Sequence, residues 1–186
     1  SEVEVALIIR ACQTPRQKAM FALLAYSGIR NLELCSMRVK DVDAARQLIT
    51  IQDGKGGVYR QVSIAGEGAR IITEYLHEEQ RIITAHRSRR GDAKSGRDQK
   101  RRAEIHRQRV ERMELTPDRL LFLSVRHGNA LEPQDVRKNT RLAAKRAGIA
   151  ARVWPHLFRH SLACSLVDRG ANVFTVQHQL GHRHMT

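Results

Sequence analysis

The spacing of apolar residues predicts a chain built mainly of helices around one short β-hairpin. Val5, Ile8, Ile9 and Cys12 recur at helical spacing and make one apolar face near the start. Thr14-Pro15-Arg16-Gln17 reads as a capping box with proline at the first helical position. Residues 19–26 are then apolar almost all round, so this helix belongs in the core, and Ser27-Gly28 ends it. Residues 47–51 are rich in β-formers, and residues 58–64 alternate like a second strand. Between them Asp53-Gly54-Lys55-Gly56-Gly57 predicts a tight turn with Lys55 exposed at its tip.

Gly66-Glu67-Gly68 leads into a helix through Ile72, Tyr75, Leu76 and Ile83, and residues 119–124 return to strand character. Glu132-Pro133 opens a helix with Val136, Thr140, Ala143, Ala144 and Ala147 on one face, closed by Gly148. Trp154-Pro155 opens another, whose stripe runs through Leu162 and Leu166 until Gly170 stops it. After a break at residues 168–172, a short helix carries Val173, Val176 and Leu180. The fold class read from this pattern is mainly α with a small antiparallel β-sheet (α+β).

Composition narrows the partner. A chain of 186 residues makes one or two domains with a real core. With 41% hydrophobic but only 4% aromatic residues, that core is expected to be Leu, Ile, Val and Ala on helices. A net charge of +14 points to a polyanion, with nucleic acid first. No long apolar run, lipidation signal or signal peptide appears, so a cytoplasmic protein without a membrane partner is expected. Cys12, Cys35 and Cys164 are widely spaced on apolar stripes and read as reduced core residues rather than disulfides or zinc ligands.

Residues 86–114 depart from everything around them. Arg87, Arg89, Arg90, Lys94, Arg97, Lys100, Arg101 and Arg102 crowd a stretch almost without apolar residues. Its first half, with Gly91, Ser95 and Gly96, resembles a flexible basic linker, and residues 103–113 have helical character. A solvated loop and a DNA-contacting insertion both fit the charge run.

Four places carry candidate chemistry. His156 and Arg159 stand three apart at a helix start, where a guanidinium beside an imidazole can grip a phosphate. In isolation, a solvated helix start carrying basic groups is the better reading of that pair, because so short a motif recurs by chance. Arg30, caught between a core helix and a second apolar helix start, reads either as a structural arginine paired to Glu33 or as a functional one. Lys55 is an exposed turn lysine and not part of a P-loop, since no helix and no Gly-Lys-Ser/Thr follows. His178, His182 and His184 lack the spacing and the Cys or carboxylate neighbours of a zinc site, so no metal is expected.

Taken in order, these places resemble the signature boxes of the tyrosine recombinases, the phage-integrase family. Ser27-Gly28-Ile29-Arg30 with Glu33-Leu34 is similar to the first box, the Gly54-Lys55-Gly56 hairpin to the lysine turn, Pro155-His156-Leu157-Phe158-Arg159-His160 to the second box, and Leu180-Gly181-His182 to the third. The resemblance implies the catalytic-domain fold of that family across residues 1–186, with residues 86–114 as a basic insertion. It also implies catalytic roles for Arg30, Lys55, His156, Arg159 and His182. The two arginines would clamp the scissile phosphate, and Lys55 would protonate the departing 5′ oxygen. His156 would serve as acid/base or phosphate contact, and His182 would donate a further hydrogen bond. Neither ATP nor a metal is required, so no cofactor is expected.

The family's nucleophile is a tyrosine soon after the third-box histidine, and Tyr26, Tyr59 and Tyr75 match no such position. The expectation is a catalytic domain shown without its N-terminal core-binding domain and its C-terminal nucleophile segment. Its implied partner is double-stranded DNA, bound as a homo-tetramer on synapsed sites within the prokaryotic nucleoid. DNA contacts in the insertion are assigned to Arg87, Arg89, Arg90, Lys100, Arg101 and Arg102. A non-catalytic DNA-binding protein that kept the fold is the alternative. An RNA-binding domain is weaker, because stacking aromatics are scarce.

Overall fold

A computed structural model describes residues 1–54, 58–88, 114–124, 129–150 and 153–181. Two helices open the chain, α1 (Glu2–Arg10) and α2 (Pro15–Ser27). Thr14 caps α2 by accepting from the Gln17 N–H at 3.1 Å, with Pro15 in the first turn. Residues Ala19 to Ala25 of α2 are all buried, which is why that helix shows no polar face in the sequence. It packs against α4 (Gly66–Ser88) on one side and α6 (Pro155–Asp168) on another. Phe21 of α2 stacks on Phe158 of α6 with ring centroids 5.5 Å apart.

Between α2 and α4 lie the short α3 (Asn31–Ser36), a single 3-10 turn at Val39–Asp41, and a three-stranded antiparallel sheet. Its strands run in the order β1 (Val42–Asp43), β2 (Leu48–Gly54) and β3 (Val58–Ser63). Ile49 faces Val62 and Ile51 faces Arg60, and the register slips between Ile51 and Gly54. Ile49, Ile51, Val62 and Ile64 form the sheet's core face. The remaining helices are α5 (Pro133–Arg146) and α7 (Val173–Leu180). Val136, Thr140, Ala143 and Ala144 are the buried face of α5, as their spacing predicts. The fold is thus mainly α with a small antiparallel sheet.

Three expectations need correction. Residues 119–124 form no strand: Leu120 bridges Arg38 and Leu123 bridges Ala130, each in isolation. Leu121 and Phe122 are adjacent yet both buried, and the Leu121 N–H donates to Met37 O at 2.8 Å. An apolar run pinned from two sides this way has no alternating face and no continuous ladder. Cys164 is exposed, because α6 buries Phe158, Arg159 and Ser165 and turns the cysteine outward. Cys12 lies past the end of α1, and its thiol donates to Ile8 O at 3.3 Å. On α7 only Leu180 is buried, while Val173 and Phe174 face solvent.

The stretch 86–114 begins on a helix, since the backbone of α4 continues to Ser88 and includes Arg87. Among the described residues, no helix is long and apolar enough to cross a membrane.

Candidate active site

Gly28 sets the geometry. It closes α2 in the left-handed conformation at φ 69°, and a Cβ there would lie 2.8 Å from Leu180 Cδ2 and 2.9 Å from Leu162 Cδ2. Only glycine fits both the dihedral and the space. The close approach draws the C-terminus of α7 and the body of α6 onto the end of α2. Gln179 fastens the same junction: its Nε2 donates to Ser27 O at 3.0 Å and to Ser63 O at 2.6 Å, and its Oε1 accepts from the Ser63 N–H at 3.1 Å.

Arg159 reaches into this junction from the second turn of α6. Its side chain is buried, with Nη1 donating to Gly28 O at 2.5 Å and Nη2 donating to Leu180 O. Arg30, the residue before α3, donates from Nη2 to Gly181 O at 3.1 Å. Two arginines separated by 129 positions in sequence (159 − 30) therefore hold two successive carbonyls at the end of α7. Those carbonyls have no partner within the helix and carry the negative end of its dipole, so cations satisfy them well. Each guanidinium has five N–H donors, and among the described residues these contacts do not use all of them.

A carboxylate orders the pair. Glu33 is buried, and its Oε2 accepts from the Arg30 backbone N–H at 2.7 Å while its Oε1 accepts from Arg30 Nη1 at 2.9 Å. Arg60 of β3 forks onto the same carboxylate, with Nη1 and Nη2 each 2.9 Å from an oxygen. Burial raises the Glu33 carboxyl pKa, but the hydrogen bonds from Arg60 and Arg30 outweigh it and leave the group below its usual range. Arg159 moves to about 10, chiefly through burial and then through the nearby charges of Arg30 and Arg60. It stays protonated at neutral pH. Among the described residues it forms no ion pair with a carboxylate.

Arg30 is paired to Glu33, as its structural reading expects, and its side chain keeps 27% of its exposure. The structure brings Arg30 and Arg159 together. His156 is exposed on the first turn of α6, one turn before the buried Arg159. Lys55, His182, Arg89, Arg90, Lys100, Arg101 and Arg102 lie outside the described residues, as does the side chain of Arg87. His178 is exposed, and among the described residues no cluster of His, Cys, Asp or Glu is placed to hold a metal.

Arg60 belongs to none of the sequence motifs. A signal for it exists all the same, because Arg60, Val62 and Ile64 share one phase of a strand, which puts a charge on the core face. Tyr75 is buried and donates to Leu121 O at 3.0 Å, and Tyr59 neighbours Arg60 on the opposite face of β3. Tyr26 is half-buried on α2, with its hydroxyl pKa raised first by burial.

The model of the Phage integrase family matches residues 1–186. The chain is 29% identical to tyrosine recombinase XerC of Anoxybacillus flavithermus over 188 aligned positions, covering 100% of this chain and 53% of that protein. It is also 29% identical to tyrosine recombinase XerA of Thermococcus onnurineus, again over 100% of this chain and 53% of the relative. A crystal structure of XerA recombinase superposes with a TM-score of 0.75 at 28% identity, covering 99% of this chain and 54% of the other. The chain thus spans about half the length of the relatives it matches.

Proposed function

The chain belongs to the phage integrase family, and from that premise we propose that it carries the phosphate-binding centre of a site-specific DNA recombinase. The observation that supports this most is the convergence of Arg30 and Arg159 on the α7 terminus, with donors to spare. In the proposed reaction a tyrosine other than Tyr26, Tyr59 and Tyr75 attacks the phosphorus of a DNA strand. A 3′-phosphotyrosyl bond forms as the tyrosine hydroxyl gives its proton to His156, acting as base, and the bond to the 5′ oxygen breaks, that oxygen taking a proton from Lys55. Rejoining runs the same step backwards with a 5′ hydroxyl as attacker. One phosphodiester is exchanged for another, so the energy of the bond is kept and no nucleotide is needed.

Arg30 and Arg159 neutralise the non-bridging oxygens, where charge builds in the transition state. His156 and His182 complete the set as acid/base or phosphate contacts. With guanidinium groups supplying that charge, the reaction calls for no metal. The full assembly is proposed to be a homo-tetramer on two synapsed duplexes in the prokaryotic cytoplasm. Residues 86–114 are proposed to be a basic insertion contacting the DNA backbone through Arg87, Arg89, Arg90, Lys100, Arg101 and Arg102.

The test is a nicked duplex that traps the cleaved state, incubated with the full-length protein in EDTA. A covalent protein–DNA adduct at a 3′ phosphate is expected. Duplex binding without any adduct would instead favour a non-catalytic DNA-binding role. Deleting residues 89–112 is expected to flatten the dependence of binding on salt, by a slope of about 0.9 for each phosphate that is no longer neutralised.

A further inference from the structure

We propose that Arg60 is a positioning residue that ties the β3 arm of the hairpin to the phosphate clamp. The inference rests on the recombinase reading above and concerns a residue that touches neither the proposed phosphate site nor the leaving oxygen. Three observations carry it. Both terminal nitrogens of Arg60 fork onto Glu33, whose other contacts are the backbone and side chain of Arg30. Arg60 also fills the space beside Gly181. A Cβ on that glycine, which sits at φ 64°, would lie 2.5 Å from Arg60 Nε and 2.8 Å from its Cδ and Cζ. Finally, Arg60 Nε is buried with no acceptor among the described residues, so no hydrogen bond they offer along its stem explains the placement.

The geometry gives Arg60 two effects. Through Glu33 it sets the rotation of the Arg30 guanidinium, because a carboxylate pinned by a planar fork presents its Oε1 in one direction only. By packing under Gly181 it fixes the turn that follows Leu180, whose carbonyls receive Arg30 and Arg159. Arg60 lies on β3, which pairs with β2, so the sheet and the clamp are joined through one side chain. Lysine cannot replace it, since an ammonium keeps the charge but loses the fork.

The experiment compares wild-type full-length protein with Arg60→Lys, Arg60→Ala and Arg30→Ala. Single-turnover cleavage of the trapping duplex is measured beside the duplex Kd and the melting midpoint. For Arg60→Lys the expectation is a cleavage rate lowered by about 10-fold to 100-fold, with Kd within about 3-fold and the fold intact at assay temperature. Free guanidinium should restore part of the rate of Arg60→Ala, whereas a sodium salt at equal ionic strength should not. A purely structural role would show no such selectivity. Gly181→Ala should be costly in the wild type and cheaper in Arg60→Ala, because the two substitutions act on one contact.

An Arg60→Lys rate within about 3-fold of wild type overturns the proposal. So does a loss of rate fully accounted for by loss of binding or melting, or a defect that guanidinium and sodium treat alike. If Arg30→Ala itself cleaves normally, the clamp reading fails along with the inference. If Arg30→Ala is dead while Arg60→Lys is normal, only the inference fails.

Discussion

Replacing Arg159 with alanine is expected to lower strand cleavage by the full-length protein at least 100-fold to 1,000-fold. That corresponds to the loss of about 3–4 kcal/mol of transition-state stabilisation. The guanidinium is buried and protonated, its contacts are two backbone carbonyls, and among the described residues no carboxylate pairs with it. A cation kept from water without a counter-ion gains most when an anionic phosphate arrives, and gains more as charge builds on the oxygens. Arg159→Lys should recover only a small part of the rate, since one ammonium cannot hold Gly28 O, Leu180 O and a phosphate from the same plane. Rapid-quench cleavage at saturating protein checks both variants. Near wild-type rates would remove Arg159 from the site.

The second large effect is on stability. Glu33→Ala leaves Arg60, whose side chain is only 12% exposed, without its carboxylate, which should cost about 3–5 kcal/mol. For a protein of this size that is a fall in Tm of about 6–20 °C. The same carboxylate predicts a pH response whose sign is fixed. Its folded pKa lies below that of the unfolded chain, so its stabilisation is complete above the unfolded value of about 4.3. It is lost as pH falls further, through the folded value. Glu33→Gln should be less stable than wild type at neutral pH and should lack this acid step, so the two curves should converge at low pH. Melting followed at several pH values between 7 and 3 checks it. Parallel curves over that range would show that Glu33 does not carry the step.

Most of the architecture is written in local punctuation. Pro15, Pro133 and Pro155 start helices and Gly28, Gly148 and Gly170 end them, so those boundaries could be read without the fold. The buried α2 was legible because seven consecutive residues, Ala19 to Ala25, carry no charge. The errors fall where partners far along the chain decide. Leu121 and Phe122 look like a strand, but Met37 and Tyr75, more than forty positions away, determine how they are held. Cys164 looks like core, but burial on α6 depends on which side meets α2. At the site, Arg30 and Arg159 stood out through the motifs around them. Their shared acceptors did not, because Leu180 O and Gly181 O are backbone atoms present at every position, and only folding selects them.

The enclosure of α2 also has a consequence for how the molecule fluctuates. Amides along a helix covered on every side exchange with solvent only when the whole domain opens. In deuterium labelling, the amides from Ala19 to Ser27 should therefore be among the last to exchange. Gly28, at the end of that helix, holds Arg159 through its carbonyl, whereas Arg30 sits at the head of a helix of six residues that should open far more often. One half of the proposed clamp should thus be anchored to the slowest-opening part of the protein and the other to a faster one. The lifetime of a competent site would then be set by α3 and not by the domain as a whole.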